Sequence, residues 1–367
     1  MPAAHALRRD RLRAALTTLD AAAALVTRLV NVRYLTGLVS SNAALLVPAD
    51  GAAVLATDSR YALTAQRVAP DLELLVAREA EAALADRARA AGLRRLAFEA
   101  HEMTVERHAA LVVGGGLDLV PLGRAVEEAR MVKDEEEITL LARACAITGE
   151  AFDQVLGQIR PGLTERGLAI ALERAMVDAG ADRPAFDTIV ASGQNGAIPH
   201  HEPGGRELRP GDLITVDCGA CYQGYHADMT RTVALGPPAA WQREIYQLVA
   251  SAQRAGIEAA VPGAALAGID AAARDLIAAA GHGGHFTHGL GHGVGLEIHE
   301  APAVGHGRPG KLGARVPITV EPGIYLPGKG GVRIEDTLVT RSGAGAAASR
   351  ELLTATRTAT PGELLAL

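Results

Sequence analysis

Short apolar runs punctuate the first third of the chain: AAALVT, AALLVP, AAVLAT, LELLVA, RRLAFE and LDLVPL, separated by polar and turn-forming residues. Runs of this length read as strands of a buried sheet. Between them a 3.6-residue period predicts helices around 80–91 and 104–112. ALLVPADGAAVLAT reads as a hairpin with Asp50-Gly51 at its turn. The N-terminal stretch MPAAHALRRDRLRAALTTLDAAAALV carries a basic patch, but Asp20 interrupts its apolar run and no clear cleavage site follows, so helix then strand is expected. These elements predict a small α/β domain with a mixed sheet.

A different pattern begins near Asp134. There DEEE supplies an Asp N-cap with Glu137 three residues on, and a helix is predicted to Ile159, ahead of Pro161. The expected domains are therefore residues 1–127 and 128–367. Within the second, RPGLTERGLAIALERAMVDAG ends at Gly180 and VPGAALAGIDAAARDLIAAAG ends at Gly281, an offset of 101 residues. Each contains Pro-Gly, a helix and a terminal Gly, and each follows another helix of similar length. A repeat of this period suggests two related half-domains around a shared cleft.

The stretch FTHGLGHGVGLEIHE places His288, His292 and His299 among Gly289, Gly291, Gly293 and Gly295. Glycine at nearly every second position makes a helix costly. The segment should be strand or loop whose backbone passes close to something. Upstream, GDLITVDCGACYQGYHADMTRT sets Asp217 and Asp228 on a predicted hairpin turning at Tyr222-Gln223, where both project from one face. Downstream, ITVEPGIYLPGKGGVRIEDT does the same for Glu321 and Glu335 around Pro327-Gly328-Lys329. Such acids could also face solvent and pair with Lys or Arg. Two halves that each offer a helix pair, a His-bearing segment (IPHHEP with His200; EIHEAP with His299) and a two-acid hairpin favour a cation between them, since like charges that close repel by several kcal/mol. Four carboxylates with one imidazole suit manganese, cobalt or zinc, and bridging acids suggest two divalent ions about 3.5–4 Å apart, an arrangement that activates water for hydrolysis.

In order and spacing, PHHEP, VDCGACYQGYHADMTRT, THGLGHGVGLEIHE, TVEPGIY and GVRIEDT resemble the motifs of the proline-specific pita-bread metallopeptidases, the Xaa-Pro dipeptidases (prolidases) and Xaa-Pro aminopeptidases. NVRYLTGLVSSNAALLVPADG and ATDSRY resemble the smaller N-terminal domain of that branch. The resemblance implies an α+β pita-bread (creatinase/aminopeptidase-like) catalytic domain with an internal pseudo-twofold, preceded by the α/β domain. It implies metal ligation by Asp217, Asp228, His292, Glu321 and Glu335, with Asp228 and Glu335 bridging. His200, His288 and His299 are implied beside the scissile carbonyl as catalytic and substrate-binding groups, and Glu321 as the proton shuttle. Arg333 shares a strand face with Glu335 and could orient a ligand carboxylate. His201, His226, His282 and His285 read as neighbours or loop residues.

One departure divides the expectations. Many prolidases place an Arg directly after the HExP segment, where it meets a dipeptide's free carboxylate; here that position is Ala303. Arg33 or Arg60 could supply the cation instead. The expected activity is hydrolysis of the Xaa-Pro bond, leaning to dipeptidase on length and spacing, with Xaa-Pro aminopeptidase as the alternative. Methionine aminopeptidase or a non-catalytic peptide-binding module are more remote. The expected cofactor is two divalent ions, manganese before cobalt or zinc, and the expected partners are a peptide with proline second and another copy in a homodimer. A net charge of -6 gives no basic footprint for nucleic acid, and no apolar run is long enough for a membrane span, so a cytoplasmic enzyme is expected. Cys145, Cys218 and Cys221 are too few for a disulfide framework, and the CxxC of the last two reads as chance in a hairpin.

Overall fold

The computed structural model describes residues 2–342, 349–357, 359 and 361–367. The chain forms two compact units, Met1–Arg130 and Met131–Leu367.

The first unit follows the apolar runs. After helix α1 (Pro2–Thr18) come β1 (Ala23–Val26), α2 (Leu29–Thr36), β2 (Ala43–Pro48), β3 (Val54–Thr57), α3 (Ala62–Val68), β4 (Glu73–Val76), α4 (Ala80–Ala90), β5 (Arg95–Phe98), α5 (Val105–Val113), β6 (Asp118–Pro121) and α6 (Ala125–Met131). The strands form one sheet in the order β4-β3-β2-β1-β5-β6. β1, β2 and β3 pair antiparallel while the outer pairs are parallel, so the sheet is mixed. The β2–β3 hairpin turns at Asp50-Gly51, where Gly51 takes φ +95, a conformation that favours glycine.

The second unit is built twice over. Helices α7 (Glu135–Leu156) and α8 (Glu165–Asp178) precede β7 (Arg183–Pro184), β8 (Ile189–Ser192), β9 (Leu213–Cys218), β10 (Ala220–Tyr222), β11 (Tyr225–His226) and β12 (Met229–Ala234). Helices α9 (Ala240–Ala259) and α10 (Leu266–Ala279) precede β13 (Gly291–Gly293), β14 (Glu300–Val304), β15 (Pro317–Val320), β16 (Gly323–Leu326), β17 (Gly330–Arg333), β18 (Asp336–Arg341) and β19 (Ser349–Leu352). α7 starts with the expected capping box between Asp134 and Glu137. Each helix pair buries its apolar face on its own sheet. Ile147, Phe152, Leu168 and Met176 pack with Val190, Ile214 and Val216, while Val249, Ile269 and Ile277 pack with Ile318, Val320 and Ile324. The strands β12-β9-β8 form the sheet of the first half, and β14-β13-β15-β18-β19 that of the second. The two acid-bearing hairpins therefore rise from equivalent places in the two halves.

Cys145, Cys218 and Cys221 are buried free thiols, and burial pushes those of Cys145 and Cys218 well up, which fits packing and not redox chemistry. Among the described residues no helix is long and apolar enough to cross a membrane.

Candidate metal centre

The two hairpins deliver their acids by different registers. β9 and β12 pair Asp217 with Thr230 and Cys218 with Met229, and the tight turn falls at Gln223-Gly224, one residue beyond the expected Tyr222-Gln223. Asp228 thus lies diagonally across from Asp217, not directly opposite. A shift of two residues in a ladder of period two leaves both side chains on one face, so the expected pairing survives the corrected register. In the second hairpin Val320 pairs with Asp336 and Gly323 with Arg333 in one register, which sets Glu321 opposite Glu335 between the two ladders.

β13 brings His292 to these acids. It pairs with β14 through a bulge between His292 and Gly293, a device that re-aims a side chain. The glycines are there for close approach: a Cβ on Gly291 would fall on the Thr319 carbonyl, and one on Gly293 on the Ala301 carbonyl. His292 Nδ1 donates to the Gly293 carbonyl at 3.0 Å, which leaves Nε2 bare. Nε2 lies 3.5 Å from Asp228 Oδ2 and 3.4 Å from Glu321 Oε1. Ligand atoms of Asp228, His292 and Glu335 all lie within 4.8 Å of one another.

The electrostatics are those of a crowded, buried acid cluster. Burial, then the neighbouring carboxylates, push Asp228 and Glu335 well above the usual carboxylate range. Burial pushes Glu321 up to about 8, with Arg333 opposing it. Burial likewise lowers His292 to about 4, so its imidazole is neutral and able to ligate. Asp217 Oδ2 accepts from Arg333 Nη2 at 2.8 Å, whereas its buried Oδ1 has no hydrogen-bond partner. An orphaned carboxylate oxygen beside three further acids and a bare imidazole nitrogen fits divalent cations.

Around this cluster runs a network with few free members. Thr230 Oγ1 donates to Glu335 Oε2 at 2.7 Å, and Thr319 Oγ1 to Glu321 Oε1 at 3.3 Å. Arg333 also donates to Tyr325 Oη (3.0 Å), Thr230 Oγ1 (3.1 Å) and the Pro199 carbonyl (3.1 Å). Tyr325 in turn bonds His288 Nε2 at 2.8 Å, while His288 Nδ1 donates to the Gly289 carbonyl at 2.8 Å. Both nitrogens of His288 are therefore engaged, and its ring reaches a substrate only by exchanging the Tyr325 hydroxyl for it. His200 and His299 have no hydrogen-bond partner among the described residues, and the His299 ring stands edge-on to His292 with centroids 4.4 Å apart. The turn that carries His299 is pinned by a buried ion pair, Lys133 Nζ to Glu300 Oε2 at 2.8 Å. His226 bonds the Gly295 carbonyl instead of facing the acids.

All eight histidine and acid positions expected at the site, with Arg333, line one cavity of about 660 Å³. It also exposes Arg308, whose guanidinium has no ion pair or hydrogen bond among the described residues. No motif or spacing in the sequence ties Arg308 to the other site residues. Tyr325 was visible within TVEPGIY but carried no spacing signal toward His288. In the first unit Arg60 forms a two-pronged pair with Asp58, Nε to Oδ1 at 2.9 Å and Nη2 to Oδ2 at 2.7 Å. That leaves it a poor source of a substrate-binding cation.

Comparison with known proteins agrees with this geometry. Residues 139–342 match the profile of Metallopeptidase family M24, and residues 8–132 that of the Creatinase/Prolidase N-terminal domain. The Uncharacterized peptidase YqhT of Bacillus subtilis is 41% identical over 320 residues, 86% of this chain and 90% of that protein. The solved Xaa-Pro dipeptidase from Bacillus anthracis superposes with a TM-score of 0.93 at 34% identity, covering 99% of this chain and all (100%) of that one. The X-Pro aminopeptidase from Thermotoga maritima does so with 0.88 at 33%, covering 98% and 99%. The chain is a metallopeptidase and belongs to family M24, a pita-bread catalytic domain preceded by a creatinase/prolidase N-terminal domain.

Proposed function

We propose that this protein is a dinuclear exopeptidase that hydrolyses the bond before proline in Xaa-Pro dipeptides. The observation that carries the reading is the convergence of Asp217, Asp228, His292, Glu321 and Glu335 on one cavity with Asp217 Oδ1 left unpartnered. These five side chains would hold two divalent ions, with manganese preferred and cobalt or zinc also suited to the donor set. The ions supply Lewis-acid activation of the peptide carbonyl and of the attacking water.

The remaining steps fall to the chain's own groups. Glu321 Oε2, the oxygen that Thr319 leaves free, takes the proton of the attacking water and returns it to the leaving proline nitrogen. His299 and His200, with unengaged ring nitrogens, donate to the developing oxyanion and hold the residue after the cut. His288 joins them once it releases Tyr325. Arg333 fixes the orientation of Asp217. Phe186, Ile189, Ile298 and Val304 give the cavity apolar walls for a pyrrolidine ring.

Preference for dipeptides rests on Arg308. A substrate that ends at proline brings a carboxylate into the cavity, and Arg308 lines it with no ion pair or hydrogen bond to its guanidinium among the described residues, whereas Arg333 is consumed by Asp217 and Tyr325. An Xaa-Pro aminopeptidase acting on longer peptides is the second reading, favoured by Ala303 in place of an Arg. Activity of the metal-loaded protein on Ala-Pro, Ala-Pro-Ala and Met-Ala-Ala separates the readings. Cleavage of the first well above the others is expected, and cleavage of Met-Ala-Ala alone would discard proline specificity.

A further inference from the structure

We propose that Glu165 is a positioning residue for His200, tethering the 192–204 segment so that the histidine ring stands in the cavity. Glu165 is the first residue of α8 and is wholly buried, with 0% exposure. Its Oε1 accepts from the backbone N–H and the hydroxyl of Ser192, at 2.8 and 2.7 Å, and from Asn195 Nδ2 at 3.0 Å. Its Oε2 accepts from His201 Nε2 at 2.8 Å, from Asn195 at 3.2 Å and from the Gly204 N–H at 3.4 Å. Both ends and the middle of the segment thus hang on one carboxylate.

α8 itself has no need of this arrangement. The Thr164 hydroxyl already caps the helix by accepting from the Gly167 N–H, and the glutamate turns away from the helix toward the segment. Beyond Ser192 the segment has only a short 3₁₀ turn, 193–197, before the irregular run Pro199-His200-His201-Glu202-Pro203. Its own secondary structure cannot fix it. His200 is gripped on both sides: the Pro199 carbonyl accepts from Arg333, and the His201 ring is held by Glu165. Two anchors that flank a residue with no side-chain partner set its backbone and leave its ring for the substrate. A buried carboxylate is costly unless its lone pairs are filled, and here every donor that fills them belongs to the segment.

The inference rests on the role proposed for His200, and a double-mutant cycle tests the two separately. The variants are Glu165→Ala, Glu165→Gln, His200→Ala and Glu165→Ala/His200→Ala, assayed for kcat/KM on Ala-Pro with bound metal and melting temperature measured alongside. Glu165→Ala should lower kcat/KM about 10- to 100-fold with metal stoichiometry unchanged, since misplacement by about 1 Å carries a loss of that order. In the His200→Ala background the same change should cost less than about 2-fold, because groups acting through one another are not additive. Glu165→Gln should recover activity to within about 3-fold: its amide can face His201, which accepts by switching tautomer. An equal loss in both backgrounds, or no loss in the parent, overturns the positioning role alone. Full activity of His200→Ala overturns the role of His200 and this inference with it. Should Glu165→Ala fail to fold, His201→Ala cuts the same tether at its ring, and additivity with His200→Ala would refute the inference equally.

Discussion

Replacing Arg308 by alanine should separate dipeptides from longer substrates. Arg308 follows β14 in a turn closed by its own N–H on the Gly305 carbonyl at 3.1 Å, and β14 pairs Ala303 with His292. The guanidinium therefore sits just beyond the strand that pairs with His292. A guanidinium and a carboxylate about 4 Å apart attract by about 4 kcal/mol at an effective dielectric near 20. Arg308 is exposed at the cavity rim, where water and salt cut that to about 1–2 kcal/mol. The variant should lose about 5- to 30-fold in kcat/KM on Ala-Pro. Ala-Pro-amide has the same length without the charge, and Ala-Pro-Ala moves the charge one residue on; both should change less than about 2-fold. The loss on Ala-Pro should shrink as ionic strength rises. Equal losses on the dipeptide and its amide would refute the electrostatic argument. Arg60→Ala, whose guanidinium is already paired with Asp58, should leave the ratio of the three substrates unaltered.

Other consequences follow from the acid cluster and the fold. Chelation should abolish hydrolysis and manganese or cobalt restore it at two ions per chain by elemental analysis; Asp228→Asn should cost at least about 100-fold, because the carboxylate proposed as shared would serve both ions. Metal-free protein should lose stability as pH rises. Glu321 titrates near 8 when folded against 4.5 as an unperturbed group, so its protonated form favours the folded state fully below 4.5 and that contribution is lost on passing 8. Asp228 and Glu335 add to the trend in the same direction, while His288 and His292, lowered to about 4, oppose it up to 6.5, so a melting temperature that climbs between pH 6.5 and 8 without metal would contradict it. Light scattering at micromolar concentration should give the mass of a dimer, an expectation that stands on family resemblance and that a monomer mass would defeat.

What was legible in the sequence was whatever obeys a period. Alternation and apolar run length announced the mixed sheet of the first unit, and the 101-residue offset between Gly180 and Gly281 announced the doubled architecture of the second. Strand periodicity also placed Glu321 opposite Glu335 and kept Asp217 and Asp228 on one face, even though the first hairpin turns one residue later than expected. Contacts that depend on a side chain's reach carry no such period. Arg333 meets Tyr325 across β16 and β17, and Tyr325 meets His288 from the segment ahead of β13, so nothing in the spacing of TVEPGIY could assign the hydroxyl its two partners.

The same distinction explains why the pseudo-symmetry holds in the backbone and fails in the chemistry. In each half the second helix fastens a histidine-bearing segment with an acid. In the first half Glu165, the opening residue of α8, collects donors from the segment that carries His200. In the second half Asp270, a turn into α10, accepts from the Leu290 N–H and pairs with Arg274, which donates to the carbonyls of Phe286 and His288. The two acids do not occupy equivalent positions, so a repeat scan aligns the helices and passes over them. The difference has a consequence. Glu165 grips a loop through side-chain and backbone donors of several residues, while Asp270 and Arg274 hold backbone groups and the Phe286 ring and leave the His288 ring to Tyr325. Among the described residues the first half thus presents His200 without a hydrogen-bond partner, and the second presents His299 in the same state beside a latched His288. On the proposed function, a substrate entering the cavity would meet His200 ready to donate and would have to compete with a tyrosine hydroxyl for His288.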